Sequence, residues 1–327
     1  MASPLPEVGI RMGVLRRIAA YGICTDDDGR YLLVRASPTT ATPGVWSLPG
    51  GAVEHGENPT DTVVRETAAE TGLSVAVTAL HGVHSDMRSL PDHDITLHTD
   101  RLLYRVAVRG GALIERVDQP TDLARFVSSQ DAADLVVRPF TASALGLGRT
   151  STDVVPDEAP DLPSFHAVRG ADGLHQAQRF AAYAVAVDPL GRMLLTEVAA
   201  GYPGAGRWHL PGGGTDYGES PVPALLRELT EETGQRGEVR TLLGAVSHRD
   251  AAMLGPEGYP IDWHGVRVFY LVSVPEPSEP TVHDVGGSTS RARWFTRDEV
   301  TALGTDRVTA VTADALTAAA PYFTPLP

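Results

Sequence analysis

The chain has 327 residues, room for two domains at a rough ~150 residues each, and its 42% hydrophobic and 21% charged residues suit packed cores rather than disorder. With 27 basic and 41 acidic residues the net charge is −14, a field that repels phosphate backbones. An extended nucleic-acid surface is therefore disfavoured, and a small phosphorylated partner would need a cation between itself and the protein.

Cys24 is the single cysteine, which excludes an intrachain disulfide and a paired-thiol zinc site and fits a reducing, cytoplasmic location. The opening residues lack a signal-peptide pattern and no apolar run reaches ~18 residues, so secretion and membrane spanning are disfavoured.

Along the chain, alternating apolar segments flank Asp27, Asp28 and Gly29, the pattern of an opening hairpin. A glycine turn follows at Gly50 and Gly51. Asn58 and Pro59 then supply an N-cap and a first-turn proline, and Gly72 a stop, for a helix of about three turns. Leu102 to Val108 reads as a strand, and a late helix begins near Ser129.

The same order then recurs. IAAYGICTDDDGRYLLVRA around Tyr21 matches FAAYAVAVDPLGRMLLTEV around Tyr183, an offset of 183 − 21 = 162 that Trp46 and Trp208, Gly51 and Gly213, Glu57 and Glu219, Arg65 and Arg227, and Gly82 and Gly244 all keep. Tyr104 aligns with Tyr270 at 270 − 104 = 166, so the second copy gains four residues in the loop before that strand. In this copy Asp188, Pro189 and Gly191 mark the hairpin, Ser220, Pro221 and Gly234 bound the helix, Val266 to Val274 is a strand and a late helix begins near Thr296.

A repeat of this length is a pair of whole domains and not a solenoid. The expected division is 1–150, then 151–164, then 165–327, the middle segment being a linker because DVVPDEAPDLP (Asp153 to Pro163) is rich in proline and acid and poor in core formers. Strands and helices interleave without βαβ alternation. The predicted class is α+β, two tandem folds, each a mixed β-sheet sandwiched between helices.

Chemistry concentrates on the helix of the second copy. Glu228, Glu231 and Glu232 lie at i, i+3 and i+4, so a 3.6-residue helix turns all three toward one face. Like charges at those separations repel by a few tenths of a kcal/mol per pair on an exposed helix. A divalent cation would remove that penalty, and hard oxygen donors suit Mg²⁺ or Mn²⁺. A solvated acidic face is the plainer alternative for three glutamates taken alone.

The wider pattern argues against that alternative. Residues 213–235 run Gly213, five residues, Glu219, seven residues, then Arg227-Glu228-Leu229-Thr230-Glu231-Glu232-Thr233-Gly234-Gln235. This resembles the Nudix box, departing from it only where Gln235 replaces a final aliphatic. The resemblance implies that Glu228, Glu231, Glu232 and a carbonyl at Gly212 hold Mg²⁺ or Mn²⁺, and that Arg227 orients Glu228 or Glu219. A metal-activated water would attack a phosphorus of a diphosphate, typically in a nucleoside diphosphate joined to another group. Members of this family place the general base at different positions, some outside the box; Glu228 is the favoured one here.

The first copy, residues 51–73, keeps Glu57, Arg65, Glu66 and Glu70, but Thr67 replaces the aliphatic and Ala69 replaces the first glutamate of the pair. A weak second site is expected there, with the main activity in domain 2. The retained copy would act structurally, as the second half of a pseudo-dimer within one chain, or in a homodimer; a regulatory ligand site in domain 1 is the sharper alternative.

Other residues carry weaker signals. Tyr21 with Tyr183, Tyr104 with Tyr270, and Trp46 with Trp208 could meet a base, but strand aromatics more often pack in cores. His98 and His264 lack ligand-spaced partners. Arg207 or Arg249 could reach a phosphate, and Glu276, Glu279 or Asp284 could add a metal ligand. The family's NADH signature is absent, the coenzyme A arginines do not precede Gly212, and Asp250 stands where ADP-ribose enzymes carry proline, so the substrate stays unnamed. The competing class is a nucleotide-binding sensor with little turnover, although no basic recognition helix supplies an output.

Overall fold

The computed structural model describes residues 13–90, 95–115, 120–147, 166–169, 175–254, 260–284 and 286–319; the expected linker at 151–164 lies outside them. The chain divides into two compact units, Met1–Asp161 and Leu162–Pro327.

In the first unit, β1 (Val14–Cys24) and β2 (Tyr31–Ala36) flank a turn in which Asp26 accepts the amides of Asp28 and Arg30. They meet at one bridge, Thr25 with Tyr31, and then diverge into different sheets. The expected hairpin stops there because both edges of β1 are occupied, by β4 (Gly50–Ala52) on one side and β6 (Ile95–Gly111) on the other. One sheet runs β4-β1-β6-β5 with β5 spanning Leu73–Leu90, and β1 and β6 are parallel. A second sheet places β2 between β3 (Trp46–Ser47) and β7 (Thr121–Val127).

Helix α1 (Pro59–Thr71) follows its sequence signals: Asn58 accepts the amide of Thr60, and Gly72 ends the helix at φ 79. Two short helices follow β7, α2 (Ser129–Asp134) at the expected place and an unanticipated α3 (Pro139–Ala144). The period-two alternation of β1 assigns its faces. Ala19, Tyr21 and Ile23 pack with Phe140 and Ala142 of α3, whereas on the other face Gly22 lies under Val63 of α1, where a Cβ would be a tight 3.1 Å from a Val63 methyl. Helices thus cover both faces of the sheet.

The second unit repeats this order of elements, but a pairing of Val187 with Met193 joins its described strands into one eight-stranded sheet. Strands β8 (His166–Arg169) and β9 (His175–Val187) pair antiparallel, β10 (Met193–Val198) joins β11 (Trp208–His209), and β12 (Gly212–Gly214) lies against β9. The box helix α4 (Pro221–Thr233) ends at Gly234 with φ 69, but Ser220 at its start makes no side-chain cap, a departure from the expected N-cap; Pro221 alone marks that end. Then come β13 (Glu238–Leu254), β14 (Pro260–Ser273) parallel to β9, β15 (Thr289–Phe295), α5 (Arg297–Arg307) with a Thr296 to Glu299 capping box, and α6 (Ala310–Ala319). Register locates the four extra residues. Arg88 pairs with Leu97 and Asp250 with Trp263, so the insertion lies beyond those pairs at the tip of the β13–β14 hairpin, where the register also slips between Asp250 and Met253.

Candidate active site

The glycine turn is what brings the box helix against the sheet. At Gly212 φ is 134 and a Cβ would stand 2.3 Å from the Ala182 carbonyl oxygen of β9, so close backbone pairing with Tyr183 requires glycine. At Gly213 the constraint is different: a Cβ would come within 2.5 Å of Glu228 Oε1. The first unit repeats both, with Gly50 against Ala20 and Gly51 within 2.8 Å of Glu66 Oε1. Each Gly-Gly pair is thus one residue for the strand and one for a carboxylate.

Arg227 is the hub of the polar side. Its Nε and Nη2 fork onto Glu219 at 3.0 and 2.9 Å, while Nη1 reaches Glu228 at 3.2 Å and Glu231 at 3.0 Å. Glu219 foremost, with Glu228 and Asp216, raises its pKa above the ordinary arginine value against the effect of burial. Glu219 also accepts the amide of Asp216, which closes the turn ahead of α4. In the first unit Arg65 forks onto Glu57 at 2.8 and 2.9 Å and reaches Glu66 at 2.7 Å, and the Arg65 hydrogen bonds draw the Glu57 carboxyl down to about 2.

The three glutamates diverge more than their spacing suggests. Glu231 is half-buried and bound to Arg227. Glu232 is buried and accepts the Gly212 amide at 2.8 Å and the Thr289 hydroxyl, clamping the turn to β15. Burial is the main cause that pushes its carboxyl up to about 7, with Glu228 and Asp284 adding to the rise. Burial likewise raises Glu228, against the pull of Arg227. Glu70 repeats the role of Glu232, accepting the Gly50 amide and the Thr121 hydroxyl, each at 2.8 Å, and it too is pushed up to about 7 by burial.

Among the described residues no group of three or more His, Cys, Asp or Glu is already gathered as a metal site. The donor set nevertheless fits a hard cation: two enclosed carboxylates, Glu228 and Glu232, lie against the Gly212–Gly213 turn with Arg227 bound to one of them. Opposite Glu231 in the repeat is Ala69, exposed and without an oxygen donor.

Several site residues escaped sequence reasoning. Thr289 and Thr121 occupy equivalent β-sheet positions, opposite Val198 and Ala36, and their shared grip on Glu232 and Glu70 shows only in three dimensions. Arg179 stacks its guanidinium over Gly214, where a Cβ would lie 2.2 Å from Nε, and it draws Glu228 downward. The offset of Arg179 from Arg17 was the available signal. Asp284, by contrast a candidate from the sequence, is exposed but adjoins the box helix, its amide donating to the Glu231 carbonyl at 3.1 Å.

The remaining candidates fall elsewhere. Tyr104, Tyr183, Tyr270, Trp46, Trp208 and His98 are buried, as is Tyr21, which also borders a cavity. His264 is held by Ser247 and Gln178 at 2.8 and 3.0 Å. Arg249 pairs with Asp262, and Arg207, Glu276 and Glu279 are exposed.

The NUDIX domain family model matches the chain twice, over residues 15–144 and 177–314. A MutT-like protein of Streptomyces ambofaciens is 28% identical over 131 residues, 40% of this chain and 76% of that protein. An ADP-ribose pyrophosphatase of Methanocaldococcus jannaschii is 38% identical over 96 residues, 29% of this chain and 53% of that one. The crystal structure of a MutT NUDIX hydrolase from Burkholderia pseudomallei aligns at 33% identity and TM-score 0.34, over 43% of this chain and 96% of its own.

Proposed function

The chain belongs to the NUDIX domain family in both halves and is a Nudix-type diphosphate hydrolase; from that premise we propose that the second unit carries most of the turnover, that it requires Mg²⁺ or Mn²⁺, and that it cleaves a nucleoside diphosphate joined to another group. The observation that carries this reading is the contrast at one helical position: Glu231 completes the carboxylate set in the second unit, and Ala69 interrupts it in the first.

Glu228, Glu231, Glu232 and the Gly212 carbonyl would hold the cation. When bound, it lowers the pKa of water and offsets charge developing on phosphorus. The protein's own part is positioning. Glu228, seated over Gly213 and held by Arg227, is the best-placed residue to accept a proton from the attacking water. Glu232 fixes the turn through the Gly212 amide, and Glu219 fixes Arg227. In the first unit Glu57, Arg65, Glu66 and Glu70 form the weaker copy.

One relative supports the substrate class, the ADP-ribose pyrophosphatase of Methanocaldococcus jannaschii. A small nucleotide derivative suits an acidic protein whose cation mediates the contact. A reducing cytoplasm suits the buried free Cys24, and no described helix is long and apolar enough to cross a membrane. The duplicate is read as the structural second half of a pseudo-dimer within one chain.

The test is a panel of nucleoside triphosphates, dinucleotides, nucleotide sugars and ADP-ribose, with Mg²⁺ or with EDTA, following monophosphate and pyrophosphate release. Magnesium-dependent cleavage of a diphosphate-linked nucleoside is the expected outcome. Binding of the whole panel without cleavage would replace this reading with a sensor.

A further inference from the structure

The first unit contains a cavity of about 320 Å³ beside its glycine turn. Four arginines line it, Arg17, Arg88, Arg101 and Arg138, with Glu70 and Asp86 as the acids. Even with both acids ionised, the lining has a surplus of two positive charges, inside a protein whose net charge is −14. Asp86 is ion-paired with Arg101 and also attracts Arg17, while Glu70 is taken up by the Gly50 amide and the Thr121 hydroxyl, so Arg88 and Arg138 have no carboxylate of this lining bonded to them.

Three buried polar atoms on this wall lack a hydrogen-bond partner among the described residues, one of them Asp86 Oδ1, which is ion-paired with Arg101; in the second unit Arg179 Nε and Arg267 Nη1 lack one too. The Arg101 side chain is 8% exposed, yet its Nε has no hydrogen-bond partner among the described residues; Ser47 Oγ, on the same wall, has none either. Burial lowers the pKa of Arg17 and of Arg138, and the neighbouring arginines lower both further, against an opposing pull from Tyr21 on both and from Asp86 on Arg17. Like charges held together in this way are costly without an anion between them.

The duplicate supplies the control. By register Arg17 corresponds to Arg179 and Arg101 to Arg267, so two cations are common to both units. Arg88 corresponds to Asp250, and Arg138, whose amide donates to the Trp46 carbonyl, corresponds to Thr309, whose amide donates to that of Trp208. Asp86 corresponds to His248. The unit that has Ala69 in place of a carboxylate is thus the one with two additional arginines.

We propose that the cavity of the first unit is a metal-independent binding site for a small diphosphate-bearing ligand, held by Arg17, Arg88, Arg101 and Arg138 in place of a cation. Guanidinium groups hold phosphoryl oxygens by paired, charge-assisted hydrogen bonds without need of a metal. Tyr21 and Phe140, whose ring centres are 4.6 Å apart, border the cavity from the core, with the Arg101 guanidinium 4.5 Å over the Phe140 ring. The inference does not depend on turnover by the second unit.

The test is calorimetric titration of the full chain in EDTA with inorganic pyrophosphate, ADP and AMP, alongside Arg88→Gln, Arg138→Gln and the double variant. One site per chain in the micromolar range is expected for the diphosphates, with AMP at least tenfold weaker. Each single variant should weaken diphosphate binding at least tenfold, and the double variant should abolish it. Equal affinity for pyrophosphate and ADP identifies the diphosphate itself as the ligand; tighter ADP binding identifies a nucleoside diphosphate. Arg138 Nη2 also bonds Thr42 at 2.8 Å, so a misfolded Arg138→Gln would leave Arg88→Gln to decide. Ligand-free melting temperature provides an independent readout, because relief of repulsion should hold or raise it in Arg88→Gln while the ligand-induced rise disappears. Millimolar or absent binding in EDTA, AMP binding as tightly as ADP, or an Arg88→Gln affinity within threefold of the parent would each overturn the proposal, whatever the second unit hydrolyses.

Discussion

Replacing Gly213 by alanine tests the placement of Glu228 without touching its charge. The new Cβ would stand 2.5 Å from Oε1 and 2.7 Å from the carboxyl carbon, where ordinary contact begins at 3.4 Å. The carboxylate must therefore retreat by about 0.9 Å, and a misplacement near 1 Å in a reacting group costs on the order of 100-fold in rate. That loss is about 2.7 kcal/mol of barrier. Gly213 is not among the positive-φ glycines, so its backbone accepts alanine and the melting temperature should move by only a few degrees. The assay is kcat/KM with Mg²⁺ on the best diphosphate substrate, with Gly51→Ala as the matched change in the other unit, expected to alter turnover less than twofold. Activity in Gly213→Ala within threefold of the parent would refute the assignment of Glu228.

Four further outcomes are expected. Gly212→Ala should instead destabilise or unfold the second unit, since its Cβ would meet backbone at 2.3 Å; an unchanged melting curve would contradict this. Arg227→Lys keeps the charge but loses the fork onto Glu219, so turnover should fall at least tenfold, whereas the same change at Arg65 should leave turnover by the chain nearly intact in steady-state kinetics. In a Glu231→Gln, Glu232→Gln background, Ala69→Glu should tighten Mg²⁺ binding by the first unit, measured by titration; no change would show that the missing carboxylate is not what weakens it. His209, bonded to Thr309 at 2.6 Å, is pushed down to about 3 by burial and by Arg267, below an unfolded value of about 6.5. It stays neutral in the fold, so its stabilisation is complete above pH ~6.5 and is lost as pH falls toward 3, by at most about 1.4 kcal/mol per pH unit. Denaturation midpoints of the parent and His209→Gln should therefore converge on acidification; a constant difference would contradict it.

Much of this architecture was legible because its signals are local. Asn58, Pro59, Gly72, Pro221 and Gly234 bound the box helices through backbone conformations that do not depend on distant partners. The 162-residue offset holds in space, since Tyr21 pairs with Gly50 as Tyr183 pairs with Gly212. Long-range effects were not readable. A helical wheel turns Glu228, Glu231 and Glu232 toward one face, but it cannot show that Glu232 leaves that face to clamp Gly212, because the clamp depends on Thr289 from a strand 57 residues later. Likewise the first unit's opening hairpin splits because β4 and β6 compete for β1, whereas β9 and β10 stay in one sheet, paired at Val187 and Met193. The four-arginine cavity draws on residues from 17 to 138, each an ordinary surface arginine when read singly.

The central claim is that magnesium-dependent hydrolysis resides in the second unit, and its most direct test compares two double variants of the full chain on one diphosphate substrate. Glu228→Gln with Glu232→Gln should reduce Mg²⁺-dependent product release by at least 100-fold, while Glu66→Gln with Glu70→Gln should keep more than half of it. The reverse ranking, or equal losses from both, would contradict the assignment.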